Sequence, residues 1–243
     1  MNDAPHPFET MMVVISRLVK NGEVAATGTL SPIPAGALYM AQLTHAPDLE
    51  MMVYGDPDIR ITDGLHEFFG LAQRGLLDLF FLSGIQIDQR GNINLSVIGD
   101  YAKPKLRLPG GAGSNMISMM ARRIILFTIN HTAKLFVPKV DFINASSVDH
   151  SISWRRGTLS HVVTPMALMR YETDKEKIVL EASLPGTSAQ KIQEHTGFDL
   201  GIEGREIPEI EHITDDELEI LRGAVKQKLR RAYPLFCDMI WGK

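Results

Sequence analysis

Apolar residues recur at helical spacing from Thr10 to Lys20, at positions 11, 12, 15, 18 and 19, and Asn21-Gly22 supplies a stop. That pattern predicts a first helix. Glu23 to Gly28 reads as a short strand, Ser31-Pro32-Ile33-Pro34 as a turn, and about Ala35 to Thr44 as a helix of small residues. Leu49 to Tyr54 is the next strand, ending at Gly55, and strand, loop and helix alternating at this pace predict a parallel sheet. Ile61 to Gly75 contains a helical stripe, and Leu76 to Leu82 is a nearly continuous apolar run, the pattern of a strand buried on both faces. From Gly84 the spacing alternates (Ile85, Ile87), breaks at Gln89-Arg90-Gly91 and resumes (Ile93, Leu95, Val97), which predicts strand, tight turn and strand. Two irregular loops follow, up to Asn115.

Farther along, Arg122 to Ile129 predicts a buried strand, Lys134 to Val137 an extension of a neighbouring one, and Val162 to Tyr171 with Ile178 to Ala182 a late hairpin. Asn130 and His131 read as turn residues, and Phe142 to Ser151 as polar and irregular. Thr187-Ser188 opens a short helix stopped at Gly197, and Thr214-Asp215-Asp216-Glu217 is a capping box before a long helix to about Ala232. The fold class expected is α/β, an open, mainly parallel sheet flanked by helices, with residues 1–243 forming a single domain.

Composition narrows the function. With 243 residues, 44% of them hydrophobic, the chain buries a sizeable core. A formal charge of −4, with basic residues dense only near the C-terminus, argues against nucleic acid as a partner. Cys237 is the only cysteine, so no intramolecular disulfide or cysteine metal cluster forms, and a cytoplasmic location is expected. No apolar run approaches 18 residues, which predicts no membrane association, and no histidine pair has zinc-site spacing. Ser160-His161 lacks the spaced glycines of a nucleophile elbow.

Candidate chemistry lies in two places. In open parallel sheets ligands sit beyond the carboxyl ends of the strands, which puts Tyr54 at the mouth of a site. Asp56, just past the same strand, is a carboxylate able to line it. The second place is Pro109 to Asn115, where Gly110, Gly111 and Gly113 permit close approach, so that successive N–H groups can point at one oxygen. A flexible connector has the same composition. Gln86, Asp88, Asn92 and Asn94 on the strand-turn-strand unit mostly satisfy local backbone, with Gln86 retained as a site-lining group.

Gln86-Ile87-Asp88, Gly91-Asn92 with Asn94, Ile98-Gly99-Asp100-Tyr101, Pro104-Lys105 with Arg107, and the glycine loop together resemble the B subunit of glutaconate CoA-transferase, a class I CoA-transferase. The likeness extends through Lys20-Asn21-Gly22, Gly28-Thr29, Ala46-Pro47-Asp48 and Thr196-Gly197-Phe198-Asp199-Leu200, most of the chain in order. The resemblance implies a polypeptide that works beside a different A subunit, in a heterodimer or larger assembly, with acyl-CoA in the shared cleft and no cofactor beyond the coenzyme A that the substrate carries. It also implies that Tyr54 stands where the family has its glutamate nucleophile. A phenol, ionising near pH 10, leaves little anion at neutral pH, and an aryl ester does not replace a mixed anhydride.

Among the family's members without that glutamate are two-subunit decarboxylases of 3-methylglutaconyl-CoA, serving an isovaleryl-CoA route, and a ring-opening CoA hydrolase of steroid degradation. Loss of CO2 from a glutaconyl-type thioester gives a dienolate with its charge on the thioester oxygen. The reading that follows is a decarboxylase (a lyase) of the CoA-transferase family with Tyr54 catalytic, Gly110, Gly111 and Gly113 binding the thioester oxygen, and Asn115 supporting the loop. Alternatives are the hydrolase, a true CoA-transferase using Asp56, and a non-catalytic partner of the A subunit.

Overall fold

The computed structural model describes residues 4–56, 58, 59, 62–147 and 152–242. Pro57, Ile61 and residues 148–151, expected in a turn, a helix start and an irregular segment, lie outside the described residues. The chain forms two compact units, Met1–Phe81 with Glu211–Lys243, and Leu82–Ile210. The fold is α/β with a mainly parallel sheet flanked by helices.

In the first unit, helix α1 (Pro7–Arg17) begins three residues before the apolar stripe, because Pro7 occupies the first turn and His6 and Glu9 form a capping box. Strand β1 (Val24–Ala26) leads to helix α2 (Pro32–Leu43), strand β2 (Glu50–Met52), helix α3 (Leu65–Gln73) and strand β3 (Leu79–Leu82). β1 pairs in parallel with β2 on one side and β3 on the other, in registers Val24↔Glu50 and Ala25↔Leu79. β3 is buried throughout, as its unbroken apolar run requires. α1 packs on α2 at Gly36, where a Cβ would run into Met12 Sδ.

In the second unit, β4 (Gln86–Ile87) and β5 (Ile93–Asn94) form the expected antiparallel pair. The Asp88 carboxylate closes its turn by accepting from the N–H groups of Arg90 and Asn92. One expected loop is instead a second small hairpin, β6 (Val97–Ile98) with β7 (Leu106–Arg107). Gly99-Asp100 and Pro104 within it and Pro109 after it give the segment the composition of a loop. Helix α4 (Ser114–Met120) follows, then β8 (Arg123–Phe127), β9 (Thr158–Val163), β10 (Ala167–Glu172) and β11 (Lys177–Ser183). β8 and β9 are parallel, while β10 is antiparallel to both β9 and β11. The expected late hairpin is therefore a three-stranded meander starting at Thr158.

Lys134 to Val137 is a turn that contributes one bridge, Phe136 to Ile87, rather than a strand. His131 is no exposed turn residue: it is buried, its Nδ1 2.9 Å from Thr164 Oγ1 and its Nε2 2.9 Å from Thr196 Oγ1. Helix α5 (Ala189–Glu194) is capped by Ser188. The chain then returns to the first unit, where the Thr214 capping box opens α6 (Asp215–Ile220). One π turn (Leu221–Val225) joins it to α7 (Lys226–Ala232), so the helix reaches Ala232 as expected. After Tyr233 comes α8 (Pro234–Trp241), which the sequence pattern did not predict. No described helix is long and apolar enough to cross a membrane.

Candidate active site

The carboxyl ends of β1 and β2 open side by side within the first unit, since the two strands are parallel and in register. β2 stops at Met52, two residues sooner than its apolar run suggested, and the backbone turns over Val53-Tyr54-Gly55-Asp56. Asp56 N–H donates to Val53 O at 3.0 Å, and Gly55 has φ +100°, a conformation that turns reserve for glycine. Tyr54 thus leaves the strand at its mouth. It is 37% exposed, and its hydroxyl makes no hydrogen bond to a described residue. Its backbone is fixed at both ends: the N–H donates to Thr27 Oγ1 (3.2 Å) and the C=O accepts from Tyr233 Oη (2.9 Å). On the adjoining loop Leu30 is 88% exposed with φ +54°, a conformation unfavourable for a residue with a Cβ.

A cavity of about 330 Å³ opens beside this turn, walled by Met52, Val53, Leu65 and Phe68, with Tyr54, Asp56 and Asp63 among its polar lining. That volume falls in the range of roughly 300–1,000 Å³ common to small-molecule sites. Asp56 is buried, and its two oxygens are engaged: Oδ2 accepts from Tyr39 Oη at 2.8 Å, and Oδ1 from the Asp58 N–H at 3.0 Å and from Arg231 Nη2 at 3.3 Å. Arg231 also pairs with Asp58. Burial, and then the Asp56 carboxylate, push the Tyr39 phenol far up, so Tyr39 remains a donor. The Asp56 side chain is thus fixed by its partners, whereas Asp63, which also lines the cavity, is exposed.

The glycine loop belongs to the second unit. Gly110 adopts φ +93° and its N–H donates to Leu95 O at 3.1 Å, which removes it from the expected donor set. The N–H groups of Gly111, Ala112 and Gly113 have no partner among the described residues. Ala112 sits at φ +45°. Gly111 has no room for a side chain: a Cβ there would lie 2.5 Å from Ser114 Oγ and 3.2 Å from Asn144 Nδ2.

Asn115 lies exposed in the first turn of α4, and its C=O accepts from Ser118 Oγ at 2.7 Å. Asn144, which the sequence did not single out, secures the link between β5 and β6, accepting from Leu95 N–H and donating to Ser96 Oγ, both at 2.7 Å. Gln86 is buried, its amide shared with Asn94 and Asp141: it donates to Asp141 Oδ2 (3.0 Å) and accepts from Asn94 Nδ2 (2.7 Å) and Asp141 N–H (2.9 Å).

Ser160, His161 and Glu181 form a line, with Ser160 Oγ 2.6 Å from His161 Nδ1 and His161 Nε2 3.5 Å from Glu181 Oε2. Ser160 falls in the register shift between β8 and β9, which explains how neighbouring residues meet. β9 is paired on both sides, so its backbone is committed to the ladder rather than to a developing oxyanion. Among the described residues no group of three or more His, Cys, Asp or Glu side chains is arranged to hold a metal.

Residues 50–195 match the family model described as Coenzyme A transferase. The chain is 29% identical over 241 residues to the B subunit of 3-oxoadipate CoA-transferase from Pseudomonas knackmussii, covering 88% of this chain and 91% of that one. To the B subunit of glutaconate CoA-transferase from Acidaminococcus fermentans it is 28% identical over 228 residues, covering 80% and 83%. The crystal structure of that enzyme superposes with a TM-score of 0.77 at 24% identity over 90% of this chain and 94% of that one. The decarboxylase AibA/AibB gives a TM-score of 0.76 at 23% identity over 99% and 100%, a likeness of fold.

Proposed function

From the premise that the chain belongs to the coenzyme A transferase family, we propose that it is the B subunit of a heteromeric enzyme that decarboxylates a glutaconyl-type acyl-CoA. 3-Methylglutaconyl-CoA, giving a 3-methylbutenoyl-CoA, is the substrate we assign. The observation that carries this reading is the Tyr54 hydroxyl, unpartnered among the described residues at the turn where the family resemblance leads one to expect a carboxylate nucleophile, while the buried carboxylate of Asp56 is held by Tyr39 and Arg231. A partner of the A type fits the curated relatives, each of them the B subunit of its enzyme.

Roles are assigned to the two units separately. In the second, the N–H groups of Gly111, Ala112 and Gly113 serve as donors to a thioester oxygen as CO2 leaves and charge moves onto it. Such a donor is commonly worth about 3–4 kcal/mol. In the first, the acyl chain takes the cavity walled by Met52, Val53, Leu65 and Phe68, and the Tyr54 hydroxyl returns a proton to the γ-carbon of the dienolate. No acyl-enzyme forms, and coenzyme A stays attached throughout. Transfer of coenzyme A is the second reading, favoured by one feature, the exposed Asp63 carboxylate that lines the same cavity.

Mass spectrometry of 3-methylglutaconyl-CoA incubated with the complex, with and without acetate, separates the two. We expect loss of CO2 with coenzyme A retained, independent of acetate. Tyr54→Phe should slow it roughly 10²- to 10⁴-fold, the range of a lost general acid, and Asp63→Asn should leave the product unchanged. Acetyl-CoA from the wild type, abolished by Asp63→Asn, would replace the decarboxylase with a transferase. If neither product forms, the ring-opening hydrolase becomes the leading activity. Tyr54→Glu should introduce exchange.

A further inference from the structure

Pro234 ends α7 and starts α8, which forces Tyr233 out of helical backbone, to φ −133° and ψ 58°. The break carries the phenol of Tyr233 to the loops that follow β1 and β2 within the first unit. Its Oη donates to Tyr54 O at 2.9 Å. Thr27 Oγ1 in turn accepts from Tyr54 N–H at 3.2 Å. Two hydrogen bonds from chain-remote hydroxyl groups thus hold the Tyr54 backbone, Thr27 at its N–H and Tyr233 at its C=O.

The two residues before Tyr233 lie along the same turn. A Cβ at Gly55 would be 3.8 Å from Ala232 Cβ, and Arg231 pairs with Asp56 and Asp58. Arg231 and Tyr233 therefore hold positions 56 and 54, one by an ion pair and the other by a hydrogen bond, while Ala232 leaves room beside Gly55. Nothing in these contacts involves the Tyr54 phenol, which leaves the turn free of it.

We propose that Tyr233 is a positioning residue for position 54: its hydroxyl, with that of Thr27, locks the backbone of Tyr54 so that the side chain is presented at a fixed angle beside the cavity. Its effect on turnover rests on the reading that Tyr54 acts on an acyl-CoA. The lock itself does not. Burial pushes the Tyr233 phenol up, which keeps its proton on the oxygen that donates to Tyr54.

The test uses the chain co-purified with its A-type partner, as wild type, Tyr233→Phe, Tyr54→Phe and the double variant. Tyr233→Phe keeps the ring and its packing, so the melting temperature should fall by no more than about 4 °C. Backbone hydrogen exchange, read by mass spectrometry on peptides spanning residues 53–59, should accelerate tenfold or more, while peptides of α7 and α8 keep their rates. In turnover of 3-methylglutaconyl-CoA, kcat should drop roughly 10- to 100-fold, as a misplaced reacting group implies, with KM within threefold. The double variant should be no slower than Tyr54→Phe alone, since Tyr233 acts through Tyr54.

Unchanged exchange at residues 53–59 overturns the lock. Multiplying penalties in the double variant overturn its action through Tyr54. If the wild type turns over no substrate, the acyl-CoA reading fails by itself, and exchange still decides the lock.

Discussion

Gly111 shows how much a single hydrogen atom in place of a methyl decides. With no Cβ it passes within reach of Ser114 and Asn144 while its N–H stays unpartnered among the described residues. Gly111→Ala should displace the loop and reduce kcat by tenfold or more, approaching the loss of a whole oxyanion donor. Steady-state kinetics of the complex checks this, and a variant with wild-type kcat removes the loop from the chemistry. Where Tyr54 and the glycines sit was legible in the sequence because it is local: one lies just past a strand, the others crowd before a helix. Asn144 and Tyr233 were not, since the groups they hold lie 49 and 179 residues away along the chain, and no periodicity links such positions. Asp63 was missed for a different reason. An acidic residue in a turn is common, and only the cavity beside it marks it out.

Elements whose burial pattern is bounded by turn or capping residues were readable, even the short pair β4 and β5, and those set among loop-like residues were not. β1, β2, α1 and the capped helix from Thr214 fall near their expected places, because burial period and capping chemistry agree there. β6 and β7 lie among Gly99, Asp100, Pro104 and Pro109, which read as loop, and the β10–β11 register shift at Leu168/Met169 breaks the pattern in the meander. How the helices of the first unit are tied together is also non-local. Glu9 on α1 is buried and accepts from Arg222 Nε and Nη2 (2.7 and 2.8 Å) and from Trp241 Nε1 on α8 (2.6 Å). Burial raises its carboxyl, but those donors and the His6 N–H outweigh that and hold it below the usual carboxylate range. Glu9→Ala removes the acceptor for the Arg222 Nε and Nη2 groups and for the indole N–H. It should cost about 2–3 kcal/mol in urea unfolding, less than a fully enclosed pair because the Arg222 side chain is 32% exposed. A cost under about 0.5 kcal/mol would mean that α8 is held by apolar packing alone.

At the scale of the molecule, each unit carries its own acid sensitivity. In the second, His131 is buried between two threonines, and burial, with the nearby His195, lowers its pKa from 6.5 to about 4. The unfolded chain takes up that proton first, so stability is full above pH 6.5 and is lost as the pH falls toward 4. At pH 5 the loss should be about 2 kcal/mol. Denaturant unfolding at pH 7 and pH 5 should show it, and His131→Gln should flatten the slope between pH 4 and 6.5; an unchanged slope would assign the sensitivity to other groups. By itself the sequence determined the α/β class, the strand that delivers Tyr54 and the glycine loop, because burial period, turn residues and caps act over a few neighbouring positions. Tertiary structure alone decided which carboxylate is locked (Asp56) and which is open (Asp63), which N–H groups of the loop remain to donate, and that a phenol 179 residues away holds the Tyr54 carbonyl. These depend on distances between chain-remote groups, which folding sets and which no local pattern encodes.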